Sequence, residues 1–118
     1  MDNHIKVAVI GADYWGKDLI RNFDSLGVLG AICDNRKKPL EEFGRTYPHA
    51  YTTDSFQSIL DDPAIEALAI ASPAEMHYQM VKAGLLAGKH TFVEKPLALC
   101  EEEGMEVAAL AGDKKKVL

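Results

Sequence analysis

Gly11 and Gly16, then Asp34, then the consecutive Glu94-Lys95-Pro96 are the residues of this 118-residue sequence whose types and spacing suit chemistry. The two glycines frame Gly11-Ala12-Asp13-Tyr14-Trp15-Gly16. That run is one residue short of the G-x-G-x-x-G turn, in which the backbone N–H groups of a helix N-terminus hold a pyrophosphate. Gly11 would supply the tight turn and Gly16 the close helix packing. Asp13 stands in the place of the middle glycine, where backbone approaches phosphate, and brings a side chain and a like charge. Two glycines alone fit a plain turn with a close helix contact equally well. An acid about 20 residues beyond such a turn, at the end of a second strand, is placed to accept hydrogen bonds from an adenosine ribose. Asp34, 23 residues after Gly11 and followed by Asn35 and Arg36, meets that requirement and also suits the N-cap of the next helix. Glu94-Lys95 fits a solvated pair at a strand end; a lysine partly desolvated beside a cation could instead exchange protons near neutrality.

The elements that must position these residues follow from periodicity. Ile5, Val7, Val9 and Ile10, with Ala8 between, make a short apolar run suited to a parallel strand buried on both faces. After Gly11 the spacing changes to a helical stripe of Leu19, Ile20, Phe23 and Leu26. Residues 31–34 predict a second strand ending on Asp34, and Leu40, Phe43 and Tyr47 a second helix with Pro39 in its first turn. Residues 50–52 predict a short edge strand, followed by a small helix carrying Phe56, Ile59 and Leu60 and capped by Thr53 or Asp54. Residues 65–71 predict a central strand whose alanines leave room for helices, closed by Ser72-Pro73. A helix over 75–86 ends at Gly88 and contains Gly84, which costs about 1 kcal/mol relative to alanine. A strand over 91–93 and a helix opened by Glu101, Glu102 and Glu103 follow, and Val117-Leu118 starts a sixth strand.

Strict alternation of strand and helix predicts a Rossmann-type doubly wound α/β fold, a parallel sheet of order 3-2-1-4-5 with helices on both faces. Ligands of such sheets sit beyond the carboxyl ends of the strands, near the switch in strand order. Gly11 to Gly16, Asp34, Ser72-Pro73 and Glu94-Lys95-Pro96 all follow strands and are expected to converge on one crevice.

Composition bounds the function. The chain is expected to be one domain over 1–118, with an apolar share of 47% and 26% charged residues. Thirteen lysines and arginines against 18 acids give a net charge of −5, which argues against a nucleic-acid or anionic-membrane partner. The basic run Lys114-Lys115-Lys116 suits a helix C-terminus. Cys33 and Cys100 have neither metal nor disulfide spacing and read as inert thiols; no metal site is expected. The N-terminus has no signal-peptide pattern, and no apolar run approaches the roughly 20 residues of a membrane span. A soluble, cytoplasmic protein is expected.

The second half then carries a specific signature: Ala71-Ser72-Pro73-Ala74-Glu75-Met76-His77, followed by Ala87-Gly88-Lys89-His90-Thr91-Phe92-Val93-Glu94-Lys95-Pro96-Leu97-Ala98-Leu99. Over essentially the whole chain the sequence resembles the N-terminal domain of the glucose-fructose oxidoreductase, inositol dehydrogenase and rhizopine-catabolism (Gfo/Idh/MocA) family of NAD(P)-dependent oxidoreductases. The resemblance implies that Gly11, Ala12, Asp13, Tyr14, Trp15 and Gly16 cradle the pyrophosphate and that Asp34, with Asn35 and Arg36, holds the adenosine ribose. It implies too that Ser72, Pro73 and His77 line the cofactor trench, and that Glu94 touches the nicotinamide ribose. Lys95 resembles the family's catalytic lysine, bonded to the substrate hydroxyl, and Pro96 follows it. Tyr14-Trp15-Gly16-Lys17 with Arg21-Asn22-Phe23 is similar to members that oxidise UDP-linked amino-sugar uronates.

The function so implied is hydride transfer between a nicotinamide cofactor and a sugar, cyclitol or nucleotide-sugar alcohol; NAD is expected over NADP because Asp34 would repel a 2′-phosphate, although Arg36 is close enough to serve one. Family members continue into a second α/β domain that shapes the substrate site and usually drives oligomerisation. This chain alone is therefore expected to bind cofactor weakly and turn over no substrate, and the full-length form to be oligomeric. The alternative is a non-catalytic dinucleotide-binding or scaffolding module in which Asp13 marks a degenerate phosphate loop. A flavodoxin-like regulatory domain is disfavoured, because the acids it needs after the first and third strands are not found.

Overall fold

The computed structural model of the protein describes residues 5–11, 14–93 and 101–116, the side chains at 14, 15 and 74 excepted. Strand and helix alternate as β1 (Val7–Ile10), α1 (Tyr14–Ser25), β2 (Leu29–Cys33), α2 (Lys37–Thr46), β3 (Tyr51–Thr53), α3 (Phe56–Asp61), β4 (Ala67–Ile70), α4 (Ala74–Leu86), β5 (His90–Val93) and α5 (Glu101–Lys114). The strands pair in parallel in the order β3-β2-β1-β4-β5, as the alternation predicts. The expected sixth strand at Val117-Leu118 lies outside the described residues.

Side-chain alternation along the strands sends two apolar sets to opposite faces. Ala8, Ile10, Cys33, Leu68 and Ile70 pack with Ile59 of α3, Val81 and Leu85 of α4 and Val107 and Ala111 of α5. Val7, Val9, Leu29, Ile32 and Ala69 pack with Ile20 of α1, with Leu40 and Phe43 of α2 beside them. The winding is therefore double, with α1 and α2 on one face and α3, α4 and α5 on the other. The alanines of β4 serve one of these faces: Ala67 and Ala69 lie with the α1 set, while Leu68 and Ile70 face α4.

Several boundaries differ from the periodic expectation, each for a local reason. β2 begins at Leu29, because Gly30 is accommodated as an extra residue: Val7 pairs with Leu29 but Ala8 with Ala31. A Cβ on Gly30 would come within 3.0 Å of Ile65 Cδ1. Ile5 precedes β1 and Leu26 follows α1, and both are exposed. The cap of α3 is Ser55, neither Thr53 nor Asp54: Ser55 Oγ accepts from Ser58 N at 3.1 Å, and Thr53 Oγ1 accepts from Ser55 N at 3.0 Å. The N-cap of α2 is Arg36, not Asp34.

Opposite the strand ends that concern function, Lys89 fastens the sheet. It is 4% exposed, and its Nζ donates to the carbonyls of Asp62 at 2.9 Å and Ile65 at 2.6 Å. Burial pulls its ammonium below the ordinary lysine range. Asp62 is held in turn by the Tyr51 hydroxyl at 2.7 Å and the Ala64 N–H at 2.9 Å. On the outer surface Tyr78 of α4 donates to Glu106 of α5, which Lys82 also reaches.

Gly84 shows why a residue that costs helix stability sits in mid-helix. A Cβ there would lie 2.7 Å from Leu68 Cδ1 and 2.9 Å from Thr91 Cγ2, so the missing side chain lets α4 settle onto β4 and β5. Both neighbours are buried and have little room to move. Gly84→Ala should therefore lower stability by about 1–2 kcal/mol, overpacking outweighing the propensity gain. Urea denaturation checks this: the midpoint falls at unchanged slope, whereas an unchanged or raised midpoint contradicts the packing argument.

Candidate functional site

The switch in strand order falls at β1, whose neighbours β2 and β4 continue the sheet in opposite directions. The backbone ladder runs one step past the strands here: Gly11 N donates to Cys33 O at 2.7 Å and Ala71 N to Ile10 O at 2.8 Å. Gly11 has φ +97°, a conformation that favours glycine. A Cβ on it would be 2.9 Å from Ser72 N and 3.0 Å from Ala71 O, both backbone atoms. The constraint on Gly16 is tighter still, since a Cβ there would lie 1.7 Å from Gly11 O. The first turn of α1 rests directly on the carbonyl of Gly11, which brings the unpaired N–H groups of that helix to the end of β1.

Beyond the strand ends lies a cleft of about 600 Å³. Gly11, Asp34, Ser72 and Pro73, expected to converge, line it together with Asn35 and Arg36. Asp54, Phe56, Met76 and Met80 also line it, and sequence reasoning missed them. Asp54 and Phe56 belonged by pattern to the cap and core of α3, and only the placement of β3 beside β2 brings them to the cleft. Met76 and Met80 are four apart on α4, a spacing that marks one helix face but not what that face meets.

Asp34 is 7% exposed, and a carboxylate so buried needs partners. Arg36 supplies them: Oδ1 accepts from Arg36 N at 2.8 Å and Nε at 3.0 Å, and Oδ2 accepts from Nη2 at 2.9 Å. The guanidinium end is half in solvent, with 54% of the side chain exposed. This fork replaces the N-cap role considered for Asp34: the carboxylate turns to the N–H of Arg36 and to its side chain, and α2 starts without a side-chain cap.

His77 is 2% exposed and is not among the residues lining the cleft. Its Nε2 donates to the carbonyl of Ser72 at 2.7 Å, so it supports the Ser72-Pro73 turn. Ser72 Oγ donates to Met80 Sδ at 3.1 Å, tying the same turn to α4. Cys33 borders the cleft, but burial and the neighbouring Asp34 and Asp54 push its thiol up to about 11, so it is protonated and inert at neutral pH. Tyr14 and Trp15 open α1 by their backbone. Ala12, Asp13, Glu94, Lys95, Pro96 and Cys100 lie outside the described residues. No group of three or more potential metal ligands occurs among the described residues. None of the described helices is long and apolar enough to cross a membrane.

A parallel doubly wound sheet, a glycine-built turn at its switch point and an acid directly after the second strand define a Rossmann-type nucleotide-binding domain. Comparison with known proteins gives the family. The model of the Gfo/Idh/MocA oxidoreductase family, with its NAD-binding Rossmann fold, matches residues 5–118, and the chain belongs to that family. It is 32% identical over 109 residues to an inositol 2-dehydrogenase/D-chiro-inositol 3-dehydrogenase of Lactiplantibacillus plantarum, covering 86% of this chain and 30% of the relative. To a scyllo-inositol 2-dehydrogenase (NADP+) of Bacillus subtilis it is 40% identical over 78 residues, 66% of this chain and 22% of that one. Among solved structures, a biliverdin reductase from Synechocystis in complex with biliverdin and NADP+ superimposes with a TM-score of 0.90 at 28% identity, over 97% of this chain and 36% of the other. The chain thus spans about a third or less of the length of these proteins.

Gly16→Ala should collapse the turn. With backbone oxygen at 1.7 Å there is no rotamer to escape into, so the helix must move off β1. A loss of about 3 kcal/mol, the upper end of overpacking costs, is expected in chemical denaturation. A stability within about 0.5 kcal/mol of the parent, the usual range of a surface substitution, would show that the contact is not a constraint.

Proposed function

We propose that the cleft takes the adenosine and pyrophosphate of NAD, and that the chain is the cofactor domain of an oxidoreductase acting on a sugar, cyclitol or nucleotide-sugar alcohol. The observation that carries this reading is the arrangement of strand ends: Gly11 and Asp34 directly follow adjacent strands and open on the same cleft. The residues fit the group. Gly11 and Gly16 keep side chains away from the backbone that would meet a pyrophosphate, α1 presents its N-terminal N–H groups there, and Asp34 offers carboxylate oxygens one strand over. The inositol dehydrogenases among the relatives support the alcohol class of substrate.

A bound nicotinamide would supply or take up the hydride. The protein's own part is to position and to move a proton. Lys95, by its place in the Glu94-Lys95-Pro96 motif two residues after β5, would hold the substrate hydroxyl and exchange its proton, while Glu94 addresses the nicotinamide ribose. Hydride transfer also needs the substrate carbon held close, and such positioning is worth several kcal/mol of barrier. A second domain, as the length of the relatives suggests, would provide the facing wall and the contacts of an oligomer. The acidic net charge of −5 favours a small-molecule partner over a nucleic acid, and cysteines without disulfide spacing suit a reducing, cytoplasmic setting. Asp13, at the middle-glycine position, would weaken the hold on pyrophosphate.

NAD is proposed over NADP, because the Asp34 carboxylate meets a 2′-phosphate with like charge and Arg36 is already committed to Asp34 through two nitrogens of its guanidinium. Fluorescence titration should show NADH bound about tenfold more tightly than NADPH, a difference of about 1.4 kcal/mol. Equal or tighter NADPH binding would mean that Arg36 leaves Asp34 for the phosphate.

Lys95→Ala should leave NADH affinity within about fivefold, since it removes a group assigned to substrate rather than cofactor, while abolishing turnover in any longer form that is active. Dehydrogenase activity of this chain above a Lys95→Ala control would overturn the need for a second domain.

A further inference from the structure

Gly11, Asp34 and Asp54 are each the first residue after a strand, and the register aligns them. Ile10 pairs with Cys33 and Cys33 with Thr53, so the residues that follow form a row across the sheet end. The ladder extends into that row through Gly11 N to Cys33 O at 2.7 Å and Asp34 N to Thr53 O at 3.2 Å. Adjacent strands are about 4.8 Å apart, so Asp54 stands one step beyond Asp34 on the side away from the glycine turn. The order phosphate, ribose, base along a nucleotide matches the order Gly11, Asp34, Asp54.

Asp34 and Asp54 are the carboxylates lining the cleft among the described residues, and they differ in commitment. Both oxygens of Asp34 accept from Arg36. Asp54 is exposed, and no hydrogen bond or ion pair to it is found among the described residues, since the cap of α3 is supplied by Ser55. Phe56, Met76 and Met80 line the same cleft, an apolar set suited to the flat face of a heterocycle. A flat ring bound there would turn one polar edge toward a carboxylate that can only accept.

We propose that Asp54 reads the base: its carboxylate accepts a hydrogen bond from the exocyclic amine of adenine, so that the cleft selects an amino-purine nucleotide over a 6-oxo-purine one. This rests on the cofactor reading above, and deepens it from a dinucleotide site to one with a stated base preference. Asn35, on the same rim, carries both a donor and an acceptor and would not by itself discriminate.

The experiment compares NADH with reduced nicotinamide hypoxanthine dinucleotide, in which a carbonyl oxygen replaces the amine, by titrating nicotinamide fluorescence. The ratio of the two affinities is read, because removing a carboxylate raises the affinity for any anionic nucleotide. The parent should prefer NADH by about tenfold, the worth of a hydrogen bond to a charged group in a partly solvated site. Asp54→Asn, whose amide can turn either an oxygen or an N–H to the base, should bring the ratio to about one, and so should Asp54→Ala. Thermal melts of both variants should match the parent, since Asp54 is exposed, which separates a binding effect from a folding one. Equal affinity of the parent for the two nucleotides, or a preference that survives in both variants, overturns the assignment while leaving the cofactor reading intact. Absence of NADH binding overturns both.

Discussion

The carbonyl of Gly11 occupies the space where a side chain on residue 16 would begin, and much of the site follows from that contact. It fixes how closely α1 approaches β1, and so where the N-terminal N–H groups of the helix stand relative to the strand end. A second close approach, Gly11 against the backbone of Ala71 and Ser72, sets β4's exit beside β1's at the switch in strand order. Glycine is demanded twice, at Gly11 by positive φ and crowding together and at Gly16 by crowding alone.

The rest of the molecule holds that junction still. Each face of the sheet has its own apolar set, and the division of β4 into Leu68 and Ile70 on one side and alanines on the other lets α4 and α1 approach to different depths. Gly84 takes the same device further, giving up helix propensity so that α4 can rest on Leu68 and Thr91. Lys89 works at the far end, where its ammonium replaces water for two loop carbonyls. Buried, it withstands the desolvation cost because both oxygens accept from it.

Charge is distributed in the cleft with the same economy. Asp34 is buried, and its charge is answered by the neighbour two residues along. Asp54, one strand further out, keeps its charge in solvent. Two carboxylates of equal formal charge thus stand in one row with different electrostatic commitments, and they add to the burial that raises the thiol pKa of Cys33 beside them.

Much of this was legible in the sequence, because alternation along strands, a 3.6-residue stripe on helices and glycine at turns are local requirements written residue by residue. They determined the order of elements, the parallel sheet, the glycine turn and the convergence of Gly11, Asp34, Ser72 and Pro73. What they could not settle were choices between partners that lie close together in sequence and differ only in how the backbone turns. Asp34 suited both a cap and a free acceptor, and the structure instead gave it to Arg36; Asp54 suited a cap that Ser55 took. His77, which the family motif places near the cofactor, is buried and donates to the Ser72 carbonyl. Met76 and Met80 stand four apart on one face of α4, a spacing that does not say what the face meets, and the packing of α4 on β4 and β5 leaves them lining the cleft. The sequence determined which residues stand at strand ends, since that depends on neighbours in the chain; the tertiary structure alone decided which of them share a wall, since that depends on contacts between strands and helices far apart in it.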